Sequence, residues 1–179
     1  MFMLLSTKKL AFLGLLLAVT VLLVIFSGIL EFNTLFLLAG ASFCVGVAIR
    51  ESGHSIGFGF YLASILLSLI LAPNKFYCIT FAAMGFYLVL SEYSFDKLTH
   101  IKLSGKRSTI FWMIKYVAFN MMYLPILLFL PKLIYQGNIS EVLLIIFFLA
   151  GQIVLLVYDK AYNYFQLFIW GKVRGKLHL

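Results

Sequence analysis

The sequence predicts an all-α integral membrane protein, a bundle of six transmembrane helices with both termini in the cytoplasm. Three observations lead to this prediction. The chain of 179 residues is 64% hydrophobic and only 11% charged, whereas a soluble domain is about half apolar and about a quarter charged. Its apolar runs show no period-2 alternation, so helices must satisfy the backbone hydrogen bonds in lipid. Eleven of the fourteen Lys and Arg residues fall on one side of the resulting bundle.

Six apolar runs of 15 to 21 residues define the predicted spans. Four of these runs are short. A helix of fifteen residues is only about 22 Å long, so short helices stand nearly upright, thin the bilayer or extend into their loops. All six belong to a single transmembrane domain, 1–179, and the predicted spans are 10–30, 35–49, 56–72, 76–90, 110–130 and 142–158.

The segments outside the spans are short and support the same assignment. Lys8 and Lys9 precede the first span as in a signal peptide, but its length and the lack of a small-x-small cleavage site predict a retained helix. Between the fourth and fifth spans, 91–109 alternates apolar and polar residues, which predicts a short amphipathic helix on the cytoplasmic surface. The basic, aromatic tail 159–179 predicts an interfacial anchor.

The distribution of basic residues predicts the orientation. The only basic residues in the outer loops are Lys75 and Lys132. Lys115 lies inside the fifth span, where its long aliphatic stem can snorkel to the cytoplasmic surface. By the positive-inside rule both ends are cytoplasmic. Orientation and attraction to anionic lipid account for the net charge of +8, so no nucleic-acid partner is expected. The cytoplasmic basic residues are Lys8, Lys9, Arg50, Lys97, Lys102, Lys106, Arg107, Lys160, Lys172, Arg174 and Lys176.

Nothing in the sequence predicts an enzyme. It has no paired intramembrane carboxylates, no His-Glu-x-x-His motif and no Ser or Cys with a base at the same depth. All three histidines, His54, His100 and His178, fall in cytoplasmic segments. The sequence therefore predicts no catalytic residue, no cofactor and no metal site.

Two polar side chains are expected near the bilayer midplane. Asn120 in the fifth span and Gln152 in the sixth lie at similar depth on antiparallel neighbours. One interpretation is a hydrogen bond that holds the two helices together. The other is a deep polar site, because Pro125 removes a backbone donor near Asn120 and Tyr123 and frees the carbonyl of Met121.

The outer loops contain a second set of polar residues. Glu31 and Asn33 lie between the first two spans, and Lys75 and Tyr77 lie between the third and fourth. These side chains could converge on a small solute at the outer mouth of the bundle, or they could be solvated loop residues.

Small residues recur at helical spacing in the first span, where Ala11, Gly14 and Ala18 share one face. Gly and Ala let helix backbones approach closely in lipid. This face either packs within the chain or docks on a partner.

Three segments carry a resemblance to a known family: Lys9–Leu15, the run Val45–Glu51 followed by Gly57–Tyr61, and Ala72–Lys75. With the span number and orientation, they resemble the substrate-binding, or S, components of energy-coupling factor transporters. The resemblance implies a subunit of a prokaryotic cell membrane that binds a vitamin-like micronutrient near its outer face. It also implies that Ala11, Gly14 and Ala18 dock on a membrane T component driven by ATPase subunits.

The solute site that follows from this interpretation combines the outer and deep polar residues. Family members often have a long first outer loop that caps the ligand, whereas this chain has only Glu31–Thr34. The alternative is a non-catalytic interaction or assembly protein with no small-molecule ligand. The predicted solute-binding residues are Glu31, Asn33, Lys75, Tyr77, Asn120, Tyr123 and Gln152.

Overall fold

The computed structural model describes residues 7–30, 33–100, 107–129 and 140–177, without the side chains of residues 100, 129, 176 and 177. Within these ranges the chain is helical except at short turns and contains no β-strand. The elements are α1 Thr7–Ile29, α2 Thr34–Ser52, α3 His54–Leu71, α4 Lys75–His100, α5 Arg107–Phe129, α6 Glu141–Tyr164, a π-helical segment Phe165–Trp170, and α7 Gly171–Leu177.

Six helical stretches in the described ranges are long and apolar enough to cross a membrane. They confirm the predicted all-α fold class and a multi-pass membrane protein. The side of the membrane on which each terminus lies stays a prediction.

Two helices extend well past the predicted ends of their spans. α4 has 26 residues and passes Leu90 without a break, so residues 91–100 do not form a separate surface helix. α6 likewise passes Tyr158 and reaches Tyr164. No Gly or Pro interrupts residues 86–100 or 152–170, and nothing else in the backbone chemistry requires a helix to end where the apolar run ends.

The described residues fall into two compact units. The first lies within Met1–Tyr93 and Phe165–Leu179, and the second within Ser94–Tyr164. The predicted single-domain organisation stays a prediction. α2 is the most buried helix of the first unit. Residues of α1, α2, α3 and α4 together form the hydrophobic core of this unit. The core includes Leu13, Val24, Leu38, Ala41, Val45, Ala48, Ile49, Phe60, Tyr61, Cys78 and Phe81.

A single residue, Gly53, connects α2 to α3. Its φ of 84° lies in the left-handed region that glycine tolerates best, and its N–H donates to the carbonyl of Ile49 at 2.8 Å. At Gly57 the two helices are so close that a Cβ atom would lie 2.6 Å from the Cα of Ile49. Gly57 therefore allows α3 to pack directly against the backbone of α2.

Two buried hydroxyl groups in the first unit, those of Thr20 and Ser64, bond within their own helices. Thr20 donates to the carbonyl of Leu16 at 2.8 Å, and Ser64 donates to that of Tyr61 at 2.8 Å. A helical carbonyl four or three residues back is the usual acceptor for a hydroxyl in such a position. These two buried groups are thus satisfied locally and do not define a site.

Candidate functional site

Polar side chains meet at three levels between α5 and α6 in the second unit. Lys115 pairs with Asp159, Asn120 with Gln152, and Tyr123 with the backbone of Phe147. Residue numbers rise along α5 as they fall along α6, so the helices are antiparallel. We refer to Lys115, Asn120, Tyr123, Gln152 and Asp159 as the α5–α6 polar seam.

The first level is a buried ion pair. Lys115 Nζ lies 2.6 Å from Asp159 Oδ1, and the two side chains are only 3% and 2% exposed. Asn163 Nδ2 donates to Asp159 Oδ2 at 3.2 Å, so both carboxylate oxygens accept a hydrogen bond. Lys115 Nζ also lies 4.1 Å from the centroid of the Phe111 ring, within cation–π range. These contacts compensate part of the cost of burying the two charges.

The ion pair corrects the sequence prediction for Lys115. The predicted snorkelling to the cytoplasmic surface does not occur, because Asp159 offers a counter-ion close by and α6 continues past the predicted end of the span. The sequence pattern does not indicate Asp159 as the partner of Lys115, because Asp159 follows the apolar run and belongs to the predicted tail 159–179. The sequence feature that could have indicated this pair is its position relative to the amides. Lys115 lies five residues before Asn120 and Asp159 lies seven after Gln152, so on antiparallel helices both lie towards the same end.

The second level is a reciprocal amide pair. Gln152 Nε2 donates to Asn120 Oδ1 at 3.0 Å, and Asn120 Nδ2 donates to Gln152 Oε1 at 3.4 Å. Asn120 Nδ2 also donates to the carbonyl of Tyr116 at 2.9 Å. The hydrogen bond between Asn120 and Gln152, one of the two interpretations of the sequence, is present. Solute binding by these two residues stays a prediction.

The third level depends on a close approach of Tyr123 to α6. The Tyr123 hydroxyl donates to the carbonyl of Phe147 at 2.7 Å, and its ring stacks on Phe119 with centroids 5.1 Å apart. A Cβ atom at Gly151 would overlap Cε1 of the Tyr123 ring. Gly151 thus makes room for the ring. α5 remains helical through Pro125.

The predicted outer-mouth residues that the structure describes lie in the first unit. Lys75 donates to the carbonyls of Ala72, at 3.0 Å, and of Leu69. An ammonium on these carbonyls stabilises the C-terminal end of α3, and it uses two of the three donors of Lys75. Asn33 is exposed, Tyr77 is half-buried beside Gly28, and Glu31 lies outside the described residues.

The structure therefore joins only part of the predicted solute site. Asn120 and Gln152 are in contact, and Tyr123 lies on the same α5–α6 interface. Convergence of these three residues with the outer-mouth residues stays a prediction.

The residues predicted to dock on a partner lie on an exposed face of α1. Ala11, Gly14 and Ala18 are all exposed. A Cβ atom at Gly14 would meet nothing within 4 Å. The neighbouring Leu13 and Thr20 are buried instead, so α1 packs within the chain through a different face. We call Ala11, Gly14 and Ala18 the small-residue face.

Sequence reasoning missed a charged cluster around Glu51, at the C-terminal end of α2. Trp170 Nε1 donates to Glu51 Oε1 at 3.0 Å, and Arg174 Nε lies 3.0 Å from the same oxygen. Lys9 donates to the Glu51 carbonyl at 3.2 Å. The π-helical segment Phe165–Trp170 precedes these contacts in the chain, and Trp170 and Arg174 bind Glu51. The interfacial anchor stays a prediction.

A second ion pair lies beside that cluster in the sequence and joins α2 to α4. Arg50 Nη2 is 2.6 Å from Glu92 Oε1, and Arg50 Nε donates to both Glu92 oxygens at 3.0 Å. Bidentate arginine–carboxylate contacts of this kind are among the stronger ion pairs in proteins. They fix the end of α2 against α4.

A pocket of about 310 Å³ lies within the second unit. None of the described residues that line it is a predicted solute-binding residue. The described side chains that line it are Phe95, Leu98, Arg107, Ser108 and Phe111, and we refer to it as the α4–α5 pocket.

Comparison with protein-family models, with curated proteins and with solved structures finds no match to this chain. The resemblance to S components therefore stays a prediction. The described residues also contain no group of three or more His, Cys, Asp or Glu side chains that could hold a metal ion.

Proposed function

We propose that this chain is a non-catalytic membrane transporter subunit of the S-component type, in a prokaryotic cell membrane. In this proposal it docks on a membrane T component, driven by ATPase subunits, and presents a small solute to it. The observation that carries the proposal is the exposure of the small-residue face of α1.

Exposure of Ala11, Gly14 and Ala18 contrasts with the burial of several other small residues of the first unit. Ala41 and Ala48, for example, are fully buried in the core. In lipid, close helix packing depends on small residues, because lipid tails are as apolar as leucine. An exposed face of this kind adds nothing to packing within the chain and suits the approach of a partner helix.

Solute binding is supported by the α5–α6 polar seam. Ionisable residues inside a membrane span are costly, and they often mark substrate or ion pathways. Lys115 and Asp159 form such a pair, with the Asn120–Gln152 amides further along the same interface.

We expect Gly14→Leu to reduce co-purification of the partner about tenfold, because a leucine side chain on this face holds the partner helix away. The experiment isolates the tagged chain in mild detergent from cells that naturally produce it and quantifies bound proteins by mass spectrometry. Gly59→Leu on α3 is the matched control, since Gly59 is also exposed with nothing within 4 Å of its Cβ position.

Equal recovery of membrane and ATPase subunits with wild type and Gly14→Leu would contradict docking through α1. An equal loss in both variants would show that bulk anywhere on the apolar surface is responsible, and it would also contradict the proposal.

A second candidate function is an assembly protein without a ligand. The specific observation in its favour is that Asn120 and Gln152 satisfy each other. In this alternative the α5–α6 polar seam only joins two helices.

The double variant Asn120→Leu/Gln152→Leu separates the two functions. We expect a coupling energy of about 0.6 to 1.7 kcal/mol between the two single changes, measured by unfolding in detergent, as for other hydrogen bonds between membrane helices. The transporter proposal further predicts that the double variant loses a small molecule that wild type retains in native mass spectrometry. Unchanged small-molecule content, with retained partners, would favour the assembly protein.

A further inference from the structure

The α4–α5 pocket combines an apolar wall with a cationic rim. Phe95, Leu98 and Phe111 form the wall, and Arg107 and Ser108 lie at the first turn of α5. We propose that this pocket binds an anionic phospholipid, with the phosphate on Arg107 and the upper part of one acyl chain against the aromatic wall. This inference is independent of the proposed function.

The apolar wall is preformed. The Phe95 and Phe111 rings meet edge to face with centroids 5.8 Å apart, a favoured aromatic arrangement. Leu98 beside them is buried. A free, strongly hydrated anion would gain nothing from these three side chains, whereas an acyl chain would bury apolar surface against them.

The rim is suited to a phosphate group. The Arg107 guanidinium lies 5.9 Å from the centroid of the Phe95 ring, so the charge and the apolar wall adjoin. Guanidinium groups match phosphate oxygens with two parallel donors. The Ser108 hydroxyl and the positive end of the 23-residue helix α5 add to the attraction.

The charged residues next to the pocket in the sequence also favour an anionic ligand. Among the described residues of 96–107, the two cations Lys97 and Arg107 outnumber the single carboxylate, Asp96. Basic pockets between membrane helices bind anionic headgroups. The volume of about 310 Å³ is at the small end of the range for ligand pockets, so the pocket holds part of one acyl chain while the rest of the lipid stays in the bilayer.

The test uses the full-length chain purified in neutral detergent, with lipid adducts counted by native mass spectrometry. Phosphatidylglycerol and phosphatidylcholine with identical acyl chains are titrated separately, and inorganic phosphate is added as a competitor. Arg107→Gln removes the cation, and Lys172→Gln, at an exposed lysine of α7, is its control. Ser108→Phe fills the pocket with Arg107 retained, and Thr109→Phe, at the next exposed position outside the lining, is its control.

We expect wild type to retain phosphatidylglycerol in preference to phosphatidylcholine. Arg107→Gln should weaken phosphatidylglycerol binding about fivefold, and Ser108→Phe should weaken it similarly, while both controls bind as wild type. Binding of phosphatidylglycerol unaffected by Arg107→Gln and Ser108→Phe would overturn the proposal. Displacement of the lipid by inorganic phosphate at equal concentration would also overturn it, because the apolar wall would then contribute nothing.

Discussion

Asp159→Leu is expected to lower the free energy of unfolding by about 3 to 5 kcal/mol, because it leaves the Lys115 ammonium buried without its counter-ion. The 2.6 Å contact and the near-complete burial of both side chains are the basis of this expectation. The change also removes the acceptor of the hydrogen bond from Asn163. The measurement is unfolding of the full-length chain in mixed detergent micelles.

Two further variants distinguish an ion pair from simple packing. Lys115→Met should destabilise similarly, and the double variant Lys115→Met/Asp159→Leu should recover most of the loss, since replacing both partners of a buried pair by apolar groups is often nearly neutral. Lys160→Met, at the exposed neighbour of Asp159, is the matched control. Single variants as stable as this control would show that the charges are not buried together.

Gly57→Ala is expected to destabilise the first unit by about 3 kcal/mol, the upper part of the usual range for overpacking. The added Cβ would lie 2.6 Å from the Cα and 2.9 Å from the backbone N of Ile49. Backbone atoms cannot move aside as the end of a side chain can, so α3 must shift away from α2. Thermal unfolding in detergent measures the effect.

Gly59→Ala provides the comparison for that experiment. Gly59 lies two residues further along α3, and a Cβ there meets nothing within 4 Å. Alanine favours a helix over glycine by about 1 kcal/mol, so this variant should be as stable as wild type or slightly more so. Equal unfolding temperatures for the two alanine variants would contradict the close approach of α2 and α3.

Some of the contacts in the second unit could be predicted from the sequence. Asn120 and Gln152 are isolated amides in otherwise apolar runs, and each needs a partner in lipid, so their similar depth made a hydrogen bond between them one of two interpretations. The Lys115–Asp159 pair did not follow, because Asp159 lies beyond the apolar run and a lysine near a span end has the alternative of snorkelling. The choice between these outcomes depends on how far α6 continues, which hydropathy does not report.

The packing of the first unit also depends on features that could not be predicted from the sequence. A glycine at position 57 and one at position 59 are equivalent in the sequence, yet one touches the backbone of Ile49 and the other faces outward. Spacing put Ala11, Gly14 and Ala18 on one face of α1, but only the structure showed that this face is exposed. In each case the rotation of a helix about its axis decided the outcome.

The sequence by itself determined that this chain is a multi-pass membrane protein of six long apolar helices, because hydrophobicity summed along each segment is sufficient to place that segment in lipid. Only the tertiary structure decided which polar groups pair, which glycines allow close contact and where the α4–α5 pocket lies. These contacts depend on the rotation and axial offset of each helix. Membrane helices present apolar side chains both to lipid and to one another. Their sequences therefore show little hydrophobic periodicity, which would be needed to predict the rotation or the axial offset.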